Sequence, residues 1–241
     1  MFIIYILLQK KKMKNYITLT LISIALPLFS QTTITKNLGD YSVLKVYNGI
    51  ELELIKSSES KLEITGKKSE KVTIKNINNT LKIALPFSIN PANNSAGGEV
   101  LVKLFYNTPI AVIDANEGAT ITGKKLSQET LEVNAQERAF INLVLECKHL
   151  EVRASSGGII KLTGTTKNQD VNVDLYGIYN GYALQVSANT VVKAGTGAKA
   201  EIFAGETLKA KVSFGGSIFY KGNPEVLKDK KVVGGIIQKR D

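Results

Sequence analysis

The chain has 241 residues, 44 % of them apolar, with 31 Lys and Arg against 21 Asp and Glu. That length allows one domain, or two that share a core. A single cysteine and a single histidine exclude an intrachain disulfide framework and any multi-histidine or cysteine-cluster metal site.

Lys10, Lys11, Lys12 and Lys14 precede an apolar run from Tyr16 to Phe29, which ends at Ser30 and Gln31. Basic cluster, apolar run and small residue, in that order, read as a secretory signal. The run has only 14 residues, whereas a helix needs about 20 to cross the hydrocarbon layer. Residues 1–30 are therefore expected to be a cleaved signal peptide, leaving no stable transmembrane segment. Met13-Lys14-Asn15 reads as an alternative start, which would make residues 1–12 a mis-assigned beginning. The competing reading is a membrane anchor built from Met1–Leu8 or Tyr16–Phe29. Removing residues 1–30 takes away four lysines and no acid, so the formal charge falls from +10 to +6. The remaining lysines alternate with apolar residues, as on a solvated strand face that discourages edge pairing. No dense basic run with stacking aromatics appears, so no nucleic-acid partner is expected.

Residues 38–100 read as an N-terminal β-meander or cap of the same domain. Leu44 and Val46, Leu52 and Leu54, Leu62 and Ile64, and Leu81, Ile83 and Leu85 alternate with polar neighbours, the period of half-buried strands. Asn48-Gly49 marks a tight turn, because both residues tolerate positive φ. Pro86 to Gly98 is a long loop.

A repeat fills residues 101–241. Ile113-Asp114-Ala115, Val133-Asn134-Ala135, Val152-Arg153-Ala154, Val173-Asp174-Leu175, Val192-Lys193-Ala194 and Val212-Ser213-Phe214 align at intervals near twenty residues. Several lead into small-residue turns such as Ser155-Ser156-Gly157-Gly158 and Gly195-Thr196-Gly197. A second strand then begins, as at Phe140-Ile141-Asn142 and Ser217-Ile218-Phe219. A period of about twenty is too short for a βαβ unit, whose crossover needs a dozen residues or more. No segment has capped helical periodicity. The expected architecture is all-β: a parallel β-helix of about twenty residues per coil, each strand pairing with its counterpart one coil on. Val133, Val152, Val192 and Val212 should then share one inward column.

Val46-Tyr47-Asn48-Gly49-Ile50, the Ser155–Gly158 turn, Gly234-Gly235 and above all Val212-Ser213-Phe214-Gly215-Gly216-Ser217-Ile218-Phe219-Tyr220-Lys221-Gly222-Asn223-Pro224 carry a resemblance. The chain resembles the "putative auto-transporter adhesin, head GIN domain" family, a domain of unknown function frequent among Bacteroidetes, over roughly Leu38 to Lys239. The resemblance implies a right-handed parallel β-helix and an exported product, and its name suggests adhesion. The sequence departs from the family pattern at Gln136-Glu137-Arg138, where the glycine turn is missing, and at Asp174–Tyr182, where Tyr176, Tyr179 and Tyr182 replace the usual small-residue turn.

Candidate chemistry is sparse. Cys147 follows Ile141, Leu143 and Leu145 at a spacing of two and should point inward. His149, two residues on, is compatible with the same face but too far for an easy Cys/His nucleophile pair. Asp114 and Asp174 occupy equivalent repeat positions three coils apart, about 14 Å, too far for a hydrolytic pair. Asp170, Asp174 and Arg153 form the alternative enzyme site, that of a polysaccharide lyase or hydrolase; the lyase route would want calcium held by several carboxylates. Tyr176, Tyr179 and Tyr182 are the ligand-binding candidates, since exposed tyrosines offer rigid contact area and a hydroxyl. No catalytic residue, cofactor or metal is expected in the preferred reading. That reading is an exported, non-enzymatic module of the periplasm, cell surface or outer membrane. Its expected partner classes are an envelope glycan, an envelope protein, or a second copy of the chain.

Overall fold

The computed structural model describes residues 34–241, so the signal peptide expected at residues 1–30 lies outside the described residues. Strands come in chain order as β1 (Ile34–Asn37), β2 (Val43–Val46), β3 (Glu51–Lys56), β4 (Lys61–Thr65), β5 (Thr73–Ile77), β6 (Thr80–Ala84) and β7 (Leu101–Tyr106). Then follow β8 (Val112–Ala115) and three long, bent strands, β9 (Thr120–Ala135), β10 (Phe140–Ala154) and β11 (Ile159–Val173). The series ends with β12 (Ile178–Gly181), β13 (Leu184–Ala194), β14 (Lys199–Phe203), β15 (Thr207–Ser213), β16 (Ser217–Lys221), β17 (Val226–Val232) and β18 (Ile236–Lys239). They wind into a parallel β-solenoid of about seven turns and about 19 residues per turn.

Alternation along each strand sends every second side chain inward, and parallel pairing stacks these into columns. One column runs Leu44, Ile113, Val133, Val152, Val171, Val192, Ala210. From Ile113 onward its steps are 20, 19, 19, 21 and 18 residues. The expected valine column therefore holds for Val133, Val152 and Val192. Val173 and Val212 stand instead in the neighbouring inward column with Ala115, Ala135, Ala154 and Ala194. A slip of two residues preserves the face, so periodicity alone cannot detect it. The next sheet stacks Leu52, Ile121, Ile141, Ile160, Tyr179, Ala200 and Ile218. Nearly all of these side chains are fully buried, each larger aliphatic one contributing about 1.5–3 kcal/mol of apolar burial.

Residues 38–100 are not a meander throughout. β2 and β6 pair in parallel, as do β3 and β7, and β2–β3 pairs on its other side with β8 and β9. Thus the later pair β6–β7 lies outside the earlier pair β2–β3. Antiparallel pairing joins β1 to β4, β4 to β7 and β5 to β6. Parallel and antiparallel strands share period-two alternation, which is why the sequence does not separate them.

The corners after the first sheet are stacked tight turns. Asn48 and Gly49 take φ of 62° and 67°, as their sequence predicts. Where glycine is missing the turn persists: Glu137 and Arg138 have φ of 55° and 64°, Leu175 and Tyr176 47° and 63°. A backbone ladder explains this, with Gly118, Arg138, Gly157 and Tyr176 N–H each donating to the turn of the following coil. Gly158 is demanded by proximity: a Cβ there would lie 2.2 Å from the Ala135 carbonyl oxygen.

Candidate functional site

On the outer face of the first sheet, two polar rows run along the solenoid axis, one residue per coil. One row is Thr130, His149, Asn168, Asn189; the other is Glu132, Glu151, Asp170. Between them lies an open groove of about 530 Å³. Asn189 Nδ2 donates to Asn168 Oδ1 at 2.8 Å, and Asn168 Nδ2 stands 3.4 Å from His149 Nδ1. Parallel pairing brings these chains to strand spacing, about 4.8 Å, which lets amides of successive coils join hands. Arg153 Nε donates to Glu151 Oε1 at 3.0 Å and lies 3.9 Å from Glu132 Oε1. That hydrogen bond and the Glu151 charge raise the guanidinium pKa. The signal for this groove is present in the sequence as polar residues recurring at 130, 149, 168 and 189, a row distinct from the candidate tyrosines and carboxylates.

The three candidate tyrosines do not share a surface. Tyr176 is 68 % exposed at a turn tip. Tyr182 is half-buried, with Lys221 Nζ 5.4 Å from its ring centroid. Tyr179 is fully buried in the column between Ile160 and Ala200, so it is a core residue and out of a ligand's reach. Its phenol donates to Gln169 Oε1 at 3.2 Å. Gln169 Nε2 donates in turn to the Phe203 carbonyl at 3.0 Å, which Thr190 Oγ1 also approaches at 3.4 Å. Gln169 and Thr190 occupy an otherwise apolar column of Leu131, Leu150 and Leu208. The reason is local. The coil from Val192 to Ala210 is the shortest, at 18 residues, and it turns the Phe203 carbonyl toward the interior, where a donor must meet it.

Asp170, Asp174 and Arg153 are only partly brought together. Asp170 is exposed on the groove, in register with Glu151 and next to the Arg153 charge. Asp174 sits in the turn, where its Oδ1 accepts from Leu175 N at 2.8 Å and Thr196 N at 2.7 Å. Four residues of extended chain put Asp174 about 13 Å from Asp170, beyond the span of a hydrolytic carboxylate pair. Nor are Asp114 and Asp174 equivalent. Asp114 aligns with Asn134 and Arg153, and it pairs with Lys45 at 3.2 Å.

Cys147 points inward, as its spacing predicts, and is buried; its thiol donates to Thr166 Oγ1 at 3.4 Å. Burial pushes the thiol pKa up. His149 is exposed on the opposite face, because the corner at Lys148 resets the alternation. Among the described residues no group of three or more His, Cys, Asp or Glu is placed to hold a metal ion.

Fold and surface together define a class: a short parallel β-solenoid with an apolar interior, flat polar faces and stacked turns. The chain belongs to the "Putative auto-transporter adhesin, head GIN domain" family, whose pattern it matches over residues 40–224. A search of curated proteins gives no significant match. Among solved structures, a "putative adhesin" from Bacteroides fragilis is similar at a TM-score of 0.77 and 19 % identity, covering 89 % of this chain and 99 % of that one. One from Parabacteroides merdae gives a TM-score of 0.65 at 18 % identity, covering 89 % and 98 %. One from Parabacteroides distasonis gives 0.56 at 20 % identity, covering 88 % and 97 %. At these identities the likeness speaks for the fold.

Proposed function

We propose that this protein is an exported, non-enzymatic module of the cell envelope, with an adhesin-like or structural role. In this reading residues 1–30 direct export and are then removed. The solenoid winds in the right-handed sense favoured by strand twist in parallel connections. The antiparallel strands β1, β4 and β5 close its first end, as solenoid ends require.

The groove between the His149 and Glu151 rows is the binding surface. The observation that carries this is the repetition of hydrogen-bonding side chains at one per coil along an open channel, ending in Asn168 and Asn189. A linear, hydroxyl-rich polymer such as an envelope glycan fits such a channel, meeting amides and carboxylates at successive steps. The alternative, a polysaccharide-active enzyme, draws little support from a site whose Asp174 is engaged by backbone N–H groups and whose Arg153 is engaged by Glu151.

The test is binding and cleavage measured together on envelope glycans. Binding without new reducing ends is expected, and Asn168→Ala with Asn189→Ala should lower affinity roughly tenfold. Chain cleavage would overturn the non-enzymatic reading; binding indifferent to these substitutions would overturn the groove.

A further inference from the structure

Charge is unevenly distributed along the solenoid. Residues 191–241 carry ten Lys and Arg against five Asp and Glu, a net of +5, while residues 31–241 as a whole carry +6. On the outer face of the first sheet, the acidic row Glu132, Glu151, Asp170 gives way to Lys209 and Lys228 through Val191. Beside it, Lys193, Lys211 and Lys230 succeed one another in consecutive coils. All five lysines are exposed, and none is in an ion pair among the described residues.

A second feature occupies the same corner. The turn tips change character along the axis. Asn48, Glu117, Glu137 and Ser156 give way to Leu175, Thr196, Phe214 and Val233, with Tyr176 beside Leu175. Tyr176, Phe214 and Val233 are 68 %, 63 % and 69 % exposed, and Leu175 is 49 % exposed. Two of the apolar tips follow the lysine row by three residues: Lys211 leads to Phe214, and Lys230 to Val233, while Lys193 leads to Thr196 beside them. Exposed aromatic and aliphatic tips stacked beside unpaired cations match a surface that offers both apolar volume and negative charge.

We infer that this C-terminal corner docks on an anionic lipid surface. Phe214, Tyr176, Leu175 and Val233 enter the interfacial region, and Lys193, Lys209, Lys211, Lys228 and Lys230 lie over the headgroups. A second copy set tail against tail would oppose +5 to +5. A polysaccharide would satisfy the lysines and leave the apolar tips in water. The inference concerns a different surface from the proposed glycan groove and stands without it.

The sample for the test is Thr32–Asp241, which forms one compact unit around a single continuous core. The assay is sedimentation with phosphatidylcholine vesicles, with and without phosphatidylglycerol, at low and high salt. The protein should pellet with the anionic vesicles and be released by salt. Replacing Lys193, Lys209 and Lys211 by Gln should lower affinity roughly tenfold or more. Phe214→Ser with Val233→Ser should lower it by a similar factor while leaving salt sensitivity in place. The chain has no tryptophan, so Phe214→Trp makes a unique reporter, whose emission should shift to the blue on anionic vesicles. Unchanged circular dichroism and urea midpoints would show that the variants fold. Absence of vesicle binding, equal binding to neutral vesicles, or no shift at Phe214→Trp would overturn the inference. So would tight binding to soluble dextran sulfate that the Phe214 and Val233 substitutions leave untouched.

Discussion

The Tyr179 phenol donates to Gln169 Oε1 at 3.2 Å inside the solenoid, while Gln169 Nε2 holds the Phe203 carbonyl at 3.0 Å. One side chain thus links a large aromatic in the second sheet to a carbonyl of the shortest coil. Tyr179→Phe keeps the ring and strands the glutamine oxygen, so it should cost about 1–2 kcal/mol in a urea denaturation series. Gly181→Ala should cost about 1–3 kcal/mol, because the added Cβ would lie 2.5 Å from Tyr179 Cζ and must displace a buried ring.

Alkaline pH should weaken the fold. Burial pushes the Tyr41 phenol from 10.0 up to about 12, and it raises that of Tyr179 as well. Each group then holds its proton more tightly in the folded chain than in the unfolded one. The stability this supplies is complete below about pH 10 and is lost as pH rises through about 12. Urea midpoints measured from neutral pH to about 12 should fall across that window. The fall should be shallower in Tyr179→Phe than in the parent.

The turns offer a pair of opposite effects. Arg138 holds φ at 64°, a conformation that burdens a side chain with a Cβ. Arg138→Gly should therefore stabilise by about 0.5–1 kcal/mol once the looser unfolded chain is offset. Gly158→Ala should destabilise by about 3 kcal/mol or more, since its Cβ would meet the Ala135 carbonyl at 2.2 Å. Thermal melts of the two variants check both directions.

At the last coil, Asp229 and Lys231 follow Ala210 and Val212 in the inward columns, in a strand that is exposed along nearly its whole length. Charges at inward positions keep that edge from templating another strand. Asp229→Val with Lys231→Val should produce concentration-dependent oligomers by light scattering, with little change in the melting temperature of the monomer.

Cys147 is expected to resist thiol reagents in the native state. Its thiol is buried, hydrogen-bonded to Thr166 and raised in pKa, so the reactive thiolate is scarce and shielded. Alkylation should be slow in buffer and fast in denaturant, with the two rates differing by roughly a hundredfold or more.

The sequence alone determined the solenoid's period, the inward valines and isoleucines, and the Asn48-Gly49 turn. These rest on short-range rules: side-chain alternation, and the φ that each residue tolerates. Only the tertiary structure decided register, because a two-residue slip at Val173 or Val212 leaves every side chain on its face. Only it decided that β6–β7 stacks outside β2–β3, an exchange between segments that look alike locally. It also turned Tyr179 into a core residue and Tyr176 into an exposed one, since a stacked turn and the column beyond it send neighbouring tyrosines to opposite environments. Burial is a property of what stands one coil away, and that neighbour is twenty residues distant in the chain.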